Sequence, residues 1–240
     1  MRLAIAINIK NASWGLICLL TMAVEPSLCA TTIQWGSGYN DYLYDSNGTA
    51  LDGNYMMQAG VFLTSFTPTS SNLSLWEANW RVFDGVSEGQ GWSSADQEFL
   101  GTASLLAGGF SDSSSSTPGY SFVAGQQVYF WIYNSKSLTN GTEWALLTDN
   151  STVGNLGNEW TMPPPATGNT YQWLLLDADT PVYGGVNNII GGGTPASVVP
   201  AAYSLQTYSV VAVPEPSAAL LIGAAGMLWI RHRHQRPRIV

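Results

Sequence analysis

Three observations predict an all-β fold for most of this chain, an antiparallel β-sandwich of jelly-roll-like build. Short runs rich in aromatic and β-branched residues are broken by clusters of Gly, Ser, Thr and Asn, which is how strands and turns alternate in a sequence. Nowhere between residues 31 and 212 do apolar residues hold a 3.6-residue period beyond about ten positions, so helices should be few. Roughly eight or nine strand-like runs follow at spacings typical of sandwiches, favouring two packed antiparallel sheets over a parallel α/β layout.

In chain order, strands are expected at 31–35, 56–66, 75–83 and 98–106. Tyr120-Ser121-Phe122-Val123 and the turn Ala124-Gly125-Gln126 then lead into the clearest strand, Gln127-Val128-Tyr129-Phe130-Trp131-Ile132-Tyr133. Apolar on both faces, such runs belong in a sheet centre or a sandwich core. Two similar segments, Glu143-Trp144-Ala145-Leu146-Leu147-Thr148-Asp149 and Gln172-Trp173-Leu174-Leu175-Leu176-Asp177-Ala178-Asp179, each read as a strand ending in carboxylates, and a last strand is expected at 203–210. Asp45-Ser46-Asn47-Gly48 and Thr139-Asn140-Gly141 suit tight hairpin turns, because Asn and Gly tolerate positive φ. Residues 111–118 form a serine-rich loop, Pro163-Pro164-Pro165 must be extended, and 184–200 reads as an irregular excursion.

The charges divide the chain. Of its eight Lys and Arg residues, only Arg81 and Lys136 fall within 31–210, whereas 14 of the 16 acids do. The central domain is therefore acidic, and nucleic acid is excluded as a partner, since phosphate neutralisation needs clustered cations. Both cysteines, Cys18 and Cys29, precede it, and both histidines, His232 and His234, follow it. A His-dependent triad, an imidazole or thiolate metal site and a cysteine nucleophile have no residues from which to be built there.

Residues 1–30 have the layout of a secretory signal peptide. Arg2 and Lys10 supply the positive start and 14–24 the apolar region, with cleavage placed after Cys29 or Ala30. Leu28 is too large for the position before a lipidated Cys29, which argues against a lipobox. Residues 31–210 are the β-rich domain. The remainder, 211–240, combines Pro214-Glu215-Pro216, an apolar run at 218–230 and the basic cluster Arg231, Arg233, Arg236 and Arg238. Thirteen apolar residues make a helix of about 20 Å against roughly 30 Å of hydrocarbon, short for a permanent span. The arginines favour a cytoplasmic end, which places the acidic domain on the outer side of the membrane.

Candidate sites within the domain rest on aromatic rings and carboxylates. Trp131, Trp144 and Trp173 lie in apolar runs and belong to the core. Trp76 and Trp80 share strand parity, so they could form a glycan-stacking platform or line the core. Asp45, Asn47 and Asp52, and the pair Asp177 and Asp179, are the calcium candidates, since hard cations take clustered oxygens. Neither stretch matches an EF-hand, and solvated acidic turns are the stronger reading of both. A glycosidase needs only two carboxylates, and Glu77, Glu88, Glu98, Glu143 and Glu159 are available, though their spacing selects no pair. Asn-X-Ser/Thr sequons stand at Asn47, Asn72, Asn140 and Asn150.

The order of Pro214-Glu215-Pro216, hydrophobic run and terminal arginines resembles the PEP-CTERM sorting signal of Gram-negative bacterial exosortase systems. The resemblance covers about 28 residues. It implies processing near the tripeptide by a membrane-embedded, cysteine-protease-like exosortase, transient residence in the inner membrane, and delivery to the cell surface or extracellular matrix. Exopolysaccharide production often accompanies such systems. The expectation for the whole chain is an exported, non-enzymatic surface or matrix protein without a cofactor. A carbohydrate-binding module is the alternative, and a carboxylate-based glycoside hydrolase is a third reading.

Overall fold

The structure, a computed structural model, describes residues 29–150, 159–195 and 202–210. The expected signal helix, except Cys29 and Ala30, and the whole segment 211–240 lie outside the described residues.

The described chain is all-β. Its strands are β1 (Thr31–Gly36), β2 (Tyr42–Tyr44), β3 (Met56–Phe62), β4 (Trp80–Glu88), β5 (Gly91–Ser93), β6 (Glu98–Leu105) and β7 (Val128–Tyr133). They continue with β8 (Glu143–Thr148), β9 (Thr170–Leu174), β10 (Thr180–Tyr183), β11 (Gly185–Val186), β12 (Ile189–Ile190), β13 (Ser204–Gln206) and β14 (Tyr208–Ser209). One four-residue helix, α1 (Trp76–Asn79), and two 3₁₀ turns, Leu73–Leu75 and Leu175–Asp177, are the helical elements among the described residues.

A ten-stranded sheet runs β10-β8-β7-β3-β4-β5-β6-β1-β9, with β14 also on β8, and a four-stranded sheet runs β12-β11-β13-β2. The pairing corrects the expectation of purely antiparallel sheets. β1 with β9, β4 with β5, and β13 with β2 are parallel. The first and third of these join strands more than a hundred residues apart, pairings no local turn signal encodes.

Alternation explains the long apolar runs. In β7, Phe130 and Ile132 enter one hydrophobic cluster while Trp131 and Tyr133 enter another on the opposite face. In β8, Ala145 and Leu147 join the first cluster, Trp144 and Leu146 the second. A strand covered on both faces has no polar side to show, so its sequence loses the period of two. The first cluster extends to Ile33 and Trp35 of β1 and Phe99 of β6, and Trp35 stands opposite Gly101 in the β1–β6 register. A Cβ at Gly101 would run into the Trp35 indole, so the glycine makes room for the ring.

Other expected elements are shorter or different. The 75–83 strand is divided: the chain turns through Leu73–Leu75 and α1 before β4 begins at Trp80. The Trp80 N–H bonds back to the Trp76 carbonyl, and burying Trp76 from a helical turn satisfies the same apolar pattern that a strand would. Tyr120-Ser121-Phe122-Val123 is not a strand. Phe122 is buried edge-on to Phe83 from an irregular segment. The 172–179 run leaves β9 at Leu174 and closes in a 3₁₀ turn, and the 184–200 excursion contains β11 and β12. The serine-rich loop is held beside β4: Ser111 Oγ donates to the Phe83 carbonyl, Ser113 Oγ to Asp84 Oδ1, and Ser115 Oγ to the Gly85 carbonyl. Thr117 completes the row, its N–H donating to the Val82 carbonyl and its Oγ1 accepting the Val82 N–H.

Candidate functional site

The eight tryptophans between residues 31 and 210 are all buried. Trp76 is 0 % and Trp80 4 % exposed, which overturns their reading as a glycan platform. Their ring N–H groups are used internally, Trp76 Nε1 donating to Asn72 Oδ1 at 2.8 Å and Trp80 Nε1 to Gln58 Oε1 at 3.0 Å. Nor do the two share strand parity, because Trp76 opens α1 and Trp80 opens β4. Trp76, Trp80 and Trp144 surround Trp131, with centroids 5.0 to 5.9 Å away at interplanar angles of 81° to 87°. Edge-to-face contact of this kind is favourable beyond simple area burial.

Three of the calcium candidates, Asp45, Asp52 and Asp179, fasten their loops. Asp45 Oδ1 accepts the N–H groups of Asn47 and Thr49, and Asp52 accepts both the backbone and side-chain N–H of Asn54. Asp179 Oδ1 accepts the Asn150 N–H and the Thr180 hydroxyl, while burial raises the Asp177 pKa. Among the described residues no group of three or more His, Cys, Asp or Glu side chains is arranged to hold a metal.

The five glutamates have different fates. Glu77 and Glu159 are exposed. Glu88 accepts the Ser94 N–H, and Glu98 lines a small depression beside Trp92 and Leu100. Glu143 is buried and saturated with donors. Its Oε2 accepts the Ser46 N–H at 2.9 Å, Tyr55 Oη at 3.1 Å and Thr207 Oγ1 at 2.7 Å. Its Oε1 accepts Ser46 Oγ at 2.6 Å and the more distant Ser209 Oγ at 3.5 Å. A carboxylate bonded in this way fastens the loop after β2, the approach to β3, and the β13–β14 segment to β8. Its oxygens are committed to the fold, which leaves Glu143 poorly placed for acid or base work on a ligand.

A polar groove of about 680 Å³ lies over β4, β5 and the serine loop. At its floor Asp84 is buried, with Oδ2 accepting Trp35 Nε1 at 2.7 Å and Oδ1 accepting Ser113 Oγ at 2.6 Å. Asp112 is exposed at the rim and accepts the Ser104 N–H. The groove offers hydroxyls and carboxylates, with both oxygens of Asp84 already bonded.

The two cations of the described residues sit over rings. Lys136 Nζ lies 4.9 Å from the Trp131 centroid and 5.2 Å from that of Tyr133, and Arg81 lies 5.8 Å from the Tyr120 centroid. Burial lowers the Lys136 pKa, partly offset by the nearby negative charge of Glu77.

Of the sequon asparagines, Asn47, Asn140 and Asn150 are exposed. Asn72 is engaged at both ends of its amide: Oδ1 accepts Trp76 Nε1 and the Thr69 N–H, and Nδ2 donates to the Thr67 carbonyl. The sorting residues Pro214, Glu215 and Pro216 and the arginines 231, 233, 236 and 238 lie outside the described residues.

Sequence reasoning missed an aromatic pair at the surface, exposed Tyr42 with partly buried Tyr44. Tyr42 and Tyr44 project from β2 with rings 12° from parallel and centroids 6.2 Å apart, while Leu43 between them is buried. The signal was the alternation Tyr-Leu-Tyr, overlooked because three residues are too few to suggest a strand. The chain matches no protein-family model, no curated protein and no solved structure.

Proposed function

We propose that this chain is an exported, non-enzymatic cell-surface or extracellular-matrix protein, sorted by an exosortase through its C-terminal segment. The observation that carries this reading is the order of Pro214-Glu215-Pro216, a 13-residue apolar run and a terminal arginine cluster. A run too short to anchor permanently, next to a tripeptide that breaks helices, suits a disposable address better than a fixed membrane span. Two further observations support it. The first strand of the described residues starts at Thr31, immediately after the expected signal cleavage, and the β-rich domain contains neither His nor Cys. The sandwich-like arrangement belongs to the same proposal: central strands covered on both faces make a cargo whose core is built without cysteine or histidine.

The test is to replace Pro214, Glu215 and Pro216 with alanine in the producing cell and follow the size and location of the β-rich domain. Retention of an unprocessed form in the inner membrane is expected. Unchanged processing and surface delivery would overturn the proposal.

A further inference from the structure

We infer that the tyrosine face of β2 is a binding site for a neutral polysaccharide, with Tyr42 and Tyr44 as its stacking rings. The two rings share one orientation to within 12°, Tyr42 55 % exposed and Tyr44 partly buried. Strand geometry fixes this arrangement, since residues two apart project to the same side while Leu43 anchors the strand in the core. β2 is held from both flanks, by β13 in parallel register and by the return of the chain at Ala50 and Leu51. The rings are therefore presented by a braced strand instead of a free loop.

A second observation lies alongside. Tyr203, half exposed, is held at φ +62°, a left-handed conformation that bulky residues rarely adopt. Its carbonyl accepts the Tyr42 N–H at 2.9 Å, so the strained residue directly supports the platform strand. Strain of this kind concentrates at functional positions and persists only where the surroundings enforce it.

Chemistry selects the occupant. The residues of β13 in register with Tyr42 and Tyr44, Ser204 and Gln206, are buried, and the exposed aliphatic side chains of this sheet, Ile189 and Ile190, stand two strands further on in β12, so the strand beside the rings offers no aliphatic anchor of the kind a protein interface core contains. Asn40 and Asn47, exposed just before and after β2, carry amides that both donate to and accept from hydroxyls. An acidic polymer would find no Lys or Arg in β2 or its neighbour β13: those of the described residues are Arg81 in β4 and Lys136 after β7. An uncharged ligand with flat C–H faces and many hydroxyls satisfies rings and amides together, and a neutral glycan has that composition.

The test uses the full-length chain in a polyoxyethylene detergent, because a glycoside detergent would compete. It is run by affinity electrophoresis through gels containing hydroxyethylcellulose, galactomannan or dextran, with dextran sulfate as the anionic counterpart. Retardation by at least one neutral polymer is expected, weakened about tenfold in the double variant Tyr42→Ala/Tyr44→Ala and retained in Tyr42→Trp. Circular dichroism and thermal melts of the variants establish that they fold, and sedimentation shows whether the tyrosines instead hold two copies together. No retardation by any neutral polymer, retardation unaffected by the double substitution, binding confined to dextran sulfate, or a dimer lost in the double variant would each overturn the inference. None of these outcomes depends on how the C-terminal segment is processed.

Discussion

Glu143 separates what a residue type suggests from what its surroundings permit. In the sequence it was one of five glutamates available for acid–base work, and nothing distinguished it. In the fold its Oε2 receives one backbone N–H and two hydroxyls, and its Oε1 receives serine hydroxyls. That asymmetry yields a prediction. In Glu143→Gln the amide oxygen can keep the Oε2 position, where the Ser46 N–H can only donate, while the new NH₂ faces serine hydroxyls that can rotate to accept. The cost should be about 1–2 kcal/mol. Glu143→Leu leaves the Ser46 N–H, Tyr55 and Thr207 without their acceptor and should cost roughly 3–5 kcal/mol. Urea unfolding monitored by tryptophan fluorescence measures both, and equal losses would mean that the bonds contribute little. The same limit on sequence reasoning governs Trp76 and Trp80. Composition supplies the ring, but exposure is decided by residues such as Asn72 and Gln58 that meet it only after folding.

Among the elements, legibility followed the locality of the cause. β1, β3, β6, β7 and β8 stood out because each run of β-branched and aromatic residues is ended by nearby turn residues. β2, β5, β11 and β12 were missed because each is only two or three residues long, and β2 in addition takes its partner, β13, from far along the chain. The serine loop is the clearest case of a hidden element. Its composition reads as solvated and irregular, yet Ser111, Ser113, Ser115 and Thr117 bond successive residues of β4 through side chains and backbone. Hydroxyls here take the place of a neighbouring strand along residues 82–85 of β4, on the side away from β3. The double variant Ser111→Ala/Ser113→Ala removes a hydroxyl from the Phe83 carbonyl and one of the two donors to buried Asp84. It should cost about 2–3 kcal/mol in total, roughly 1 kcal/mol for the neutral bond and somewhat more for the charged one. Amide hydrogen exchange should rise selectively in 111–117 and along β4. Uniform exchange across the whole sheet would instead indicate global destabilisation with no local role for the row.

For the molecule as a whole, the acidic surface was plain from composition, but the burial of so much tyrosine was not, because tyrosine is as common at surfaces as in cores. Burial raises the pKa of Tyr55 and Tyr133 well above the ordinary tyrosine value, and of Tyr129, Tyr183 and Tyr208 in the same direction. Tyr55 and Tyr183 are pushed further by the negative charge of Glu143. A group whose native pKa is raised contributes stability that is complete below its unfolded pKa and is lost as pH climbs through the native one. For tyrosine that window opens at about pH 10, where the unfolded chain releases protons the native protein still holds. Each tyrosine kept protonated can then cost up to about 1.4 kcal/mol per pH unit, less where solvent reaches it. The domain should therefore tolerate neutral and mildly alkaline conditions and unfold steeply above pH ~10, with tyrosinate absorbance and tryptophan emission changing together. Tyr133→Phe isolates the effect, since its hydroxyl makes only a long 4.0 Å contact to Met56 Sδ. Stability near neutrality should scarcely change while the alkaline slope becomes shallower. Tyr55→Phe should also flatten the slope, but from a lower starting stability, because it removes a donor to Glu143. An alkaline slope identical in all three proteins would show that Tyr55 and Tyr133 do not govern the transition.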